Sequence, residues 1–159
     1  MLADGKIELV ASDPSPCPPE LKLHPALSFF EAWGRTSEAQ SSLELMFHEG
    51  VNRRGLPVTQ LAALLAEQPA RRFGLEHRKG SIRIGLDADL VLLDPNRSYT
   101  LTAEDLLYRH KHSPYAGMTL SCRISATISR GAVVYTADEG LIIPDGGQWL
   151  RINEGQPVR

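Results

Sequence analysis

Few residues in this chain could do chemistry. Lys6-Ile7 and then Glu8-Leu9-Val10-Ala11 run into Ser12-Asp13, an apolar stretch closing on a carboxylate. Such a stretch reads as a buried strand with a polar group at its C-terminal end. A carboxylate there can take a proton or hold a cation; by spacing alone, an aspartate capping a loop is the better reading. Cys17 follows in Pro14-Ser15-Pro16-Cys17-Pro18-Pro19, a stiff loop that prolines bar from being a helix interior or a central strand. From that loop Cys17 could line the mouth of a pocket, although it has too few neighbours to activate a thiolate. His110-Lys111-His112 is the sole His-x-His, and His24, His48 and His77 lack partners at ligand spacing. Gly50 and Gly55 make no phosphate loop, and no Gly-x-Ser-x-Gly elbow is present.

The elements that must position these groups change character midway. Ser37 to Arg53 is predicted as a helix: Ala39, Leu43, Met46, Phe47 and Val51 fall on one face, with Ser37 as N-cap and Gly55 as stop. Pro57, suited to a first helical position, opens a second helix through Leu61, Leu64 and Leu65 to Gln68. Pro69 is then expected to start a short helical turn of its own, Ala70 to Phe73, ended by Gly74. From Lys79-Gly80 onward the pattern is strands and turns: Ser81–Ile84, Asp89–Leu93, Ser98–Leu101, Ser125–Ser129 and Ala132–Thr136. Arg130-Gly131 fits a tight hairpin between the last two. Cys122 is expected in the core of this β unit, and Trp33 in a core as well. The tail from Pro144 has only Trp149 and Leu150 as anchors. One strand followed by two amphipathic helices cannot close a core, because a lone strand has no sheet partner.

Length and composition narrow the classes. The chain has 159 residues, 42% hydrophobic, with 17 Lys+Arg against 19 Asp+Glu and a net charge of -2. No basic stripe marks a nucleic-acid surface, and no apolar stretch approaches the roughly 18 residues of a spanning helix. The first residues lack the pattern of a signal peptide, and two cysteines make neither a disulfide framework nor a zinc ribbon. A cytoplasmic location is the expectation.

Lys79-Gly80-Ser81-Ile82 through Gly85-Leu86-Asp87-Ala88-Asp89-Leu90-Val91-Leu92-Leu93-Asp94-Pro95 resembles a signature of the metal-dependent amidohydrolases. Pro69-Ala70-Arg71-Arg72-Phe73-Gly74-Leu75 resembles the end of that family's last barrel helices, with Gln68 where Asn is common. Narrower matches run in order along the chain: Ser12-Asp13, Ser15 to Lys22, Glu31-Ala32-Trp33-Gly34, Gln40-Ser41-Ser42, Arg109-His110-Lys111 and Ser113-Pro114-Tyr115 with Gly117. Together they are similar to the allantoinases, cyclic amidohydrolases that open the hydantoin ring of allantoin. Dihydropyrimidinases, hydantoinases and dihydroorotases are near relatives.

The resemblance implies an α/β fold: the C-terminal part of a (β/α)8 barrel, its last strand and closing helices, plus part of a small flanking β-sandwich. The implied divisions are 1–78 for the barrel end, 79–143 for the sandwich segment and 144–159 for a loosely packed tail. A complete barrel takes about 250 residues, so the match is expected to begin at the eighth strand. The earlier strands of such an enzyme supply a His-x-His pair, a carboxylated lysine and two more histidines. His110-Lys111-His112 falls instead in a segment where the family binds no metal. Asp13 is implied to be both a metal ligand and the base that passes a proton from attacking water to the departing nitrogen. The implied cofactor is zinc or another divalent metal, held by the complete enzyme and not by this chain alone. The implied partners are a cyclic amide, allantoin, and either a complementing N-terminal barrel segment or a second copy of the chain. The other expectations are a non-catalytic remnant that acts as an interaction module, and a dihydropyrimidinase-like or hydantoinase-like substrate. Two departures stand at the implied site. Pro14 replaces the histidine of the usual Ser-Asp-His-Ser-Pro, and Arg35-Thr36-Ser37-Glu38 replaces a small Gly-Ile-Ala-Gly stretch.

Overall fold

The computed structural model describes residues 2, 4–15, 17–34, 39–143 and 146–150. The N-cap expected at Ser37, the Arg35–Glu38 departure, and most of the tail lie outside these residues. Two helical rods come first. α1 (Glu20–Leu23) is a single turn, and α2 (Ser42–Met46) continues without a break into a π-helical stretch, Phe47–Asn52. This rod ends at Gly55, whose N–H reaches the Val51 carbonyl, as the sequence predicts. Its apolar stripe from Leu43 to Val51 is also as expected, but the helix starts only at Ser42, and Ala39 lies exposed in the turn before it.

The second rod corrects the sequence reading. α3 (Val58–Ala62), a π stretch (Ala63–Glu67) and α4 (Gln68–Arg72) are continuous, so Pro69 does not begin a separate turn. Pro57 stands outside the first turn, with ψ at 136°. The π geometry explains how Pro69 is accommodated. The Gln68 N–H reaches back five residues to the Ala63 carbonyl, and the next donor in that ladder would be the N–H that Pro69 lacks. The Leu64 carbonyl is thereby left for another donor. Val10 supplies it, N to O at 3.0 Å.

That bond anchors the N-terminal segment, but 6–15 forms no strand. The expected strand over Ile7–Ala11 is therefore absent among the described residues. An apolar run becomes a strand only beside another strand, and here its neighbour is a helix.

The second half is a β unit. A four-stranded antiparallel sheet has the order β1 (Leu90–Asp94), β4 (Arg123–Ser129), β5 (Ala132–Thr136), β6 (Gly140–Leu141). β2 (Tyr99–Thr100) and β3 (Thr119–Leu120) form a separate pair. The β4–β5 hairpin turns at Arg130 (φ 45°) and Gly131 (φ 84°), the double positive-φ geometry that favours two-residue loops. Register shifts between Leu92 and Leu93, and between Thr127 and Ile128, add twist. The strand expected over Ser81–Ile84 is not formed. Ile82 and Ile84 alternate as a strand would but stand in solvent with nothing to pack on.

One core joins the halves. Phe47, Leu61 and Leu64 of the helices, with Leu56 from the connection between the rods, close on Cys122, and Val10, Leu43 and Leu93 pack around them. Gly80 carries the crossing from the second rod into the β unit. Its φ is +91°, and a Cβ there would lie 2.5 Å from the Ala70 Cβ and 3.0 Å from the Ala66 carbonyl.

Beside it, Lys79 holds both acids of the Asp-Ala-Asp motif, its Nζ lying 2.8 Å from Asp87 and also paired with Asp89. The Lys79 hydrogen bond, assisted by Arg78, holds the Asp87 carboxyl below the usual range. Burial works to raise Asp89, but its bonds to Lys79 and to the Arg130 N–H outweigh that and lower it. Carboxylates with depressed folded-state pKa values stabilise the fold above about pH 4, and that stability is lost as pH falls through the lowered values. The Tm deficit of Lys79→Met is therefore expected to be largest near pH 7 and to shrink below about pH 3, read by circular dichroism. A deficit unchanged across that range would contradict the pairing.

Large apolar side chains remain uncovered. Phe29 and Phe30 meet edge to face, yet are 90% and 94% exposed, and Ile82, Ile84 and Trp149 are also exposed. Apolar area of this kind favours association. Light scattering of the purified chain is expected to report oligomers or aggregates at micromolar concentration; a monodisperse, cooperatively melting monomer would contradict it.

Candidate functional site

Asp13 lies on the exposed segment that leads from the Val10 anchor into the proline-rich loop, and Pro14 beside it is exposed as well. Prolines remove amide donors, so the loop cannot satisfy its own carbonyls. Side chains from elsewhere do so. The Trp33 indole N–H donates to the Ser15 carbonyl at 3.2 Å and lies 3.1 Å from the Ser15 hydroxyl. His112 Nε2 donates to the Cys17 carbonyl at 2.8 Å. Trp33 is thus half-exposed and clamps the loop, a correction to its expected place in a core. Cys17 is buried at 3% exposure. The structure brings together Cys17 and the second histidine of His110-Lys111-His112.

No group of three or more His, Cys, Asp or Glu side chains that could hold a metal is found among the described residues. Asp13 by itself does not make a metal centre, so the residues present do not fit one.

Several polar groups join the helices to the sheet, and sequence reasoning missed them. Buried Glu44 accepts the Tyr99 hydroxyl at 2.7 Å and the Ile124 N–H at 2.8 Å. Arg123 stacks over the Tyr99 ring at 4.5 Å and lies 3.7 Å from Asp105. Burial first, and the Glu44 hydrogen bond next, push the Tyr99 hydroxyl far above its usual range. Burial, and then the Glu44 charge, push the Cys122 thiol up to about 11. The signal was available: Glu44 precedes Phe47 and Val51 by three and seven residues, on the face that packs. The Gln40 amide donates to the Asp105 carbonyl and accepts the Leu107 N–H, both at 2.8 Å. His48 Nδ1 accepts the Ser121 N–H at 3.2 Å, tying the first rod to the β unit. A cavity of about 270 Å³ opens beside Glu44, Tyr99 and Arg123, and neither Asp13 nor Cys17 lines it.

Known proteins match this arrangement along most of its length. The amidohydrolase family matches residues 24–135. Allantoinase from Escherichia coli O139:H28 is 44% identical over 149 residues, 94% of this chain and 32% of that protein. Allantoinase from Salmonella newport is 45% identical over the same shares. L-hydantoinase (dihydropyrimidinase) from Arthrobacter aurescens superposes with a TM-score of 0.83 at 32% identity, over 89% of this chain and 31% of that one. D-hydantoinase (dihydropyrimidinase) from Thermus sp. gives 0.81 at 28% identity, over 88% and 31%. The chain therefore spans about a third of the length of the curated relatives it matches. Among the described residues no helix is long and apolar enough to cross a membrane. With a family match over most of its residues and an α/β fold shared with hydantoinases, the chain belongs to the amidohydrolase family.

Proposed function

We propose that these residues are the C-terminal third of an allantoinase-like cyclic amidohydrolase, which hydrolyses the ring amide of allantoin to allantoate. In this reading 1–78 closes the barrel, 79–143 belongs to the flanking sandwich, and 144–159 is a tail. The observation that carries it is the 44–45% identity to allantoinases across 94% of the chain. Asp13 is the catalytic carboxylate and Cys17 lies at the edge of the substrate pocket. The complete enzyme would bind zinc or another divalent metal through ligands that the preceding two thirds contribute, and that group supplies activated water when bound. This chain's own part is to deliver Asp13, on a loop held from two sides, to the place where a proton must move.

The solved structures favour a second substrate class, because hydantoinases and dihydropyrimidinases share the fold at 28–32% identity. The higher identity to allantoinases makes allantoin the first choice. Pro14 motivates the remaining alternative, a non-catalytic module that pairs with a related subunit. Assays with allantoin, hydantoin and dihydrouracil separate these readings once a complementing N-terminal segment from a related enzyme is added. Allantoate release supports the first reading and ring opening of the other two substrates the second; association without turnover supports the third. The 159 residues alone are expected to turn over none of the three, because they leave no arrangement to hold and activate the attacking water. Turnover by the purified chain would overturn this assignment.

A further inference from the structure

We propose that His112 is a positioning residue: its Nε2–H, given to the Cys17 carbonyl, latches the loop that carries Asp13. The catalytic part of this inference rests on the role proposed for Asp13; the latch itself does not. The bond is short, 2.8 Å, and it joins residues 95 positions apart, so its formation ties the β half to the start of the chain. The need for it is chemical. Pro14, Pro16, Pro18 and Pro19 remove four amide donors from six residues, and the Pro18 and Pro19 carbonyls are already used by the Leu21 and Lys22 N–H groups of α1. The carbonyls of Ser15 and Cys17 must find donors outside the loop, and they find Trp33 and His112.

His112 is itself held. Its N–H bonds the His110 carbonyl at 2.7 Å, and its own carbonyl accepts the Tyr108 hydroxyl at 3.4 Å. A half-buried imidazole on a tight turn loses little freedom in making one more bond. The only His-x-His in the chain thus acquires a purpose that needs no metal: one ring spans the gap between two segments.

Cys17 provides the readout. Its thiol is buried in the loop that His112 holds, while Cys122, fully buried and with its thiol pushed up to about 11, reports on the core. The experiment is maleimide labelling of the 159-residue chain without denaturant, with the labelled cysteine identified by mass spectrometry and folding followed by circular dichroism. In the unaltered chain both cysteines are expected to label slowly. In His112→Ala, Cys17 is expected to label at least tenfold faster while Cys122 keeps its rate. His112→Gln, whose side-chain amide can still donate, is expected to restore protection. Cys17 protection unchanged in His112→Ala would overturn the latch. So would equal acceleration at both cysteines, which would mean general unfolding. In the complemented enzyme His112→Ala is expected to lower kcat about tenfold, and His112→Gln to recover most of it. The labelling pattern above, combined with activity indifferent to Asp13→Ala, would overturn the function and leave the latch standing.

Discussion

Asp13→Ala in an enzyme reconstituted with its N-terminal two thirds is expected to lower allantoate release by about 10²–10⁴-fold. That range is the usual cost of removing a general base, the role proposed for Asp13. Val10 is pinned to the second helical rod, and Trp33 and His112 pin the loop beyond. Asp13 lies between these anchors, which fixes where a carboxylate can be delivered. Asp13→Asn isolates the proposed base role, since it keeps the shape of the side chain but cannot take a proton. Pro14→His is expected to raise the rate, because it restores the residue usual in the family's motif beside Asp13 and the amide donor that proline removes. Reconstituted activity unaffected by Asp13→Ala would end the assignment of this residue.

The second large effect is on folding. Gly80→Ala is expected to cost on the order of 3 kcal/mol, combining positive-φ strain with overpacking against the second rod. For a chain of this size that is a fall in Tm of roughly 10 °C. The added methyl would sit 2.5 Å from the Ala70 Cβ, and the rod cannot retreat without disturbing Leu61 and Leu64 in the core. Gly85→Ala is the control. Its φ is +95°, but a methyl added there would meet nothing within 4 Å, so only the backbone strain applies. Thermal melts giving equal losses for the two variants would refute the steric part of the argument.

How much of this was legible in the sequence depended on whether the deciding contact was local. The β4–β5 hairpin was readable because Arg130-Gly131 sets its own geometry, and the end of the first rod was readable for the same reason at Gly55. The strands expected over Ile7–Ala11 and Ser81–Ile84 do not form, because alternation and apolarity announce a strand only when a partner exists to complete the ladder. Pro69 continues its helix against expectation because a π turn, invisible to a 3.6-residue template, absorbs its missing donor. Asp13 was singled out through its family motif, not through spacing. The groups that hold its loop could not, since Trp33 and His112 reach Ser15 and Cys17 from positions 18 and 95 residues away. Glu44 was hidden differently: a carboxylate on a helix is usually solvated, and here the Tyr99 hydroxyl and Ile124 N–H make its burial tolerable.

The Leu64 carbonyl has a consequence for how the chain tolerates change. Because Pro69 cannot donate, the second rod carries a vacant acceptor that Val10 fills with its main chain. Main-chain recognition does not read the side chain, so the bond itself excludes only proline at position 10, while the Val10 side chain is held separately by its packing on the core. The junction is a socket shaped by a residue that takes no part in the bond. A single ring in the helix thus determines where the opposite end of the polypeptide is seated, and with it the approach of the carboxylate three residues further on.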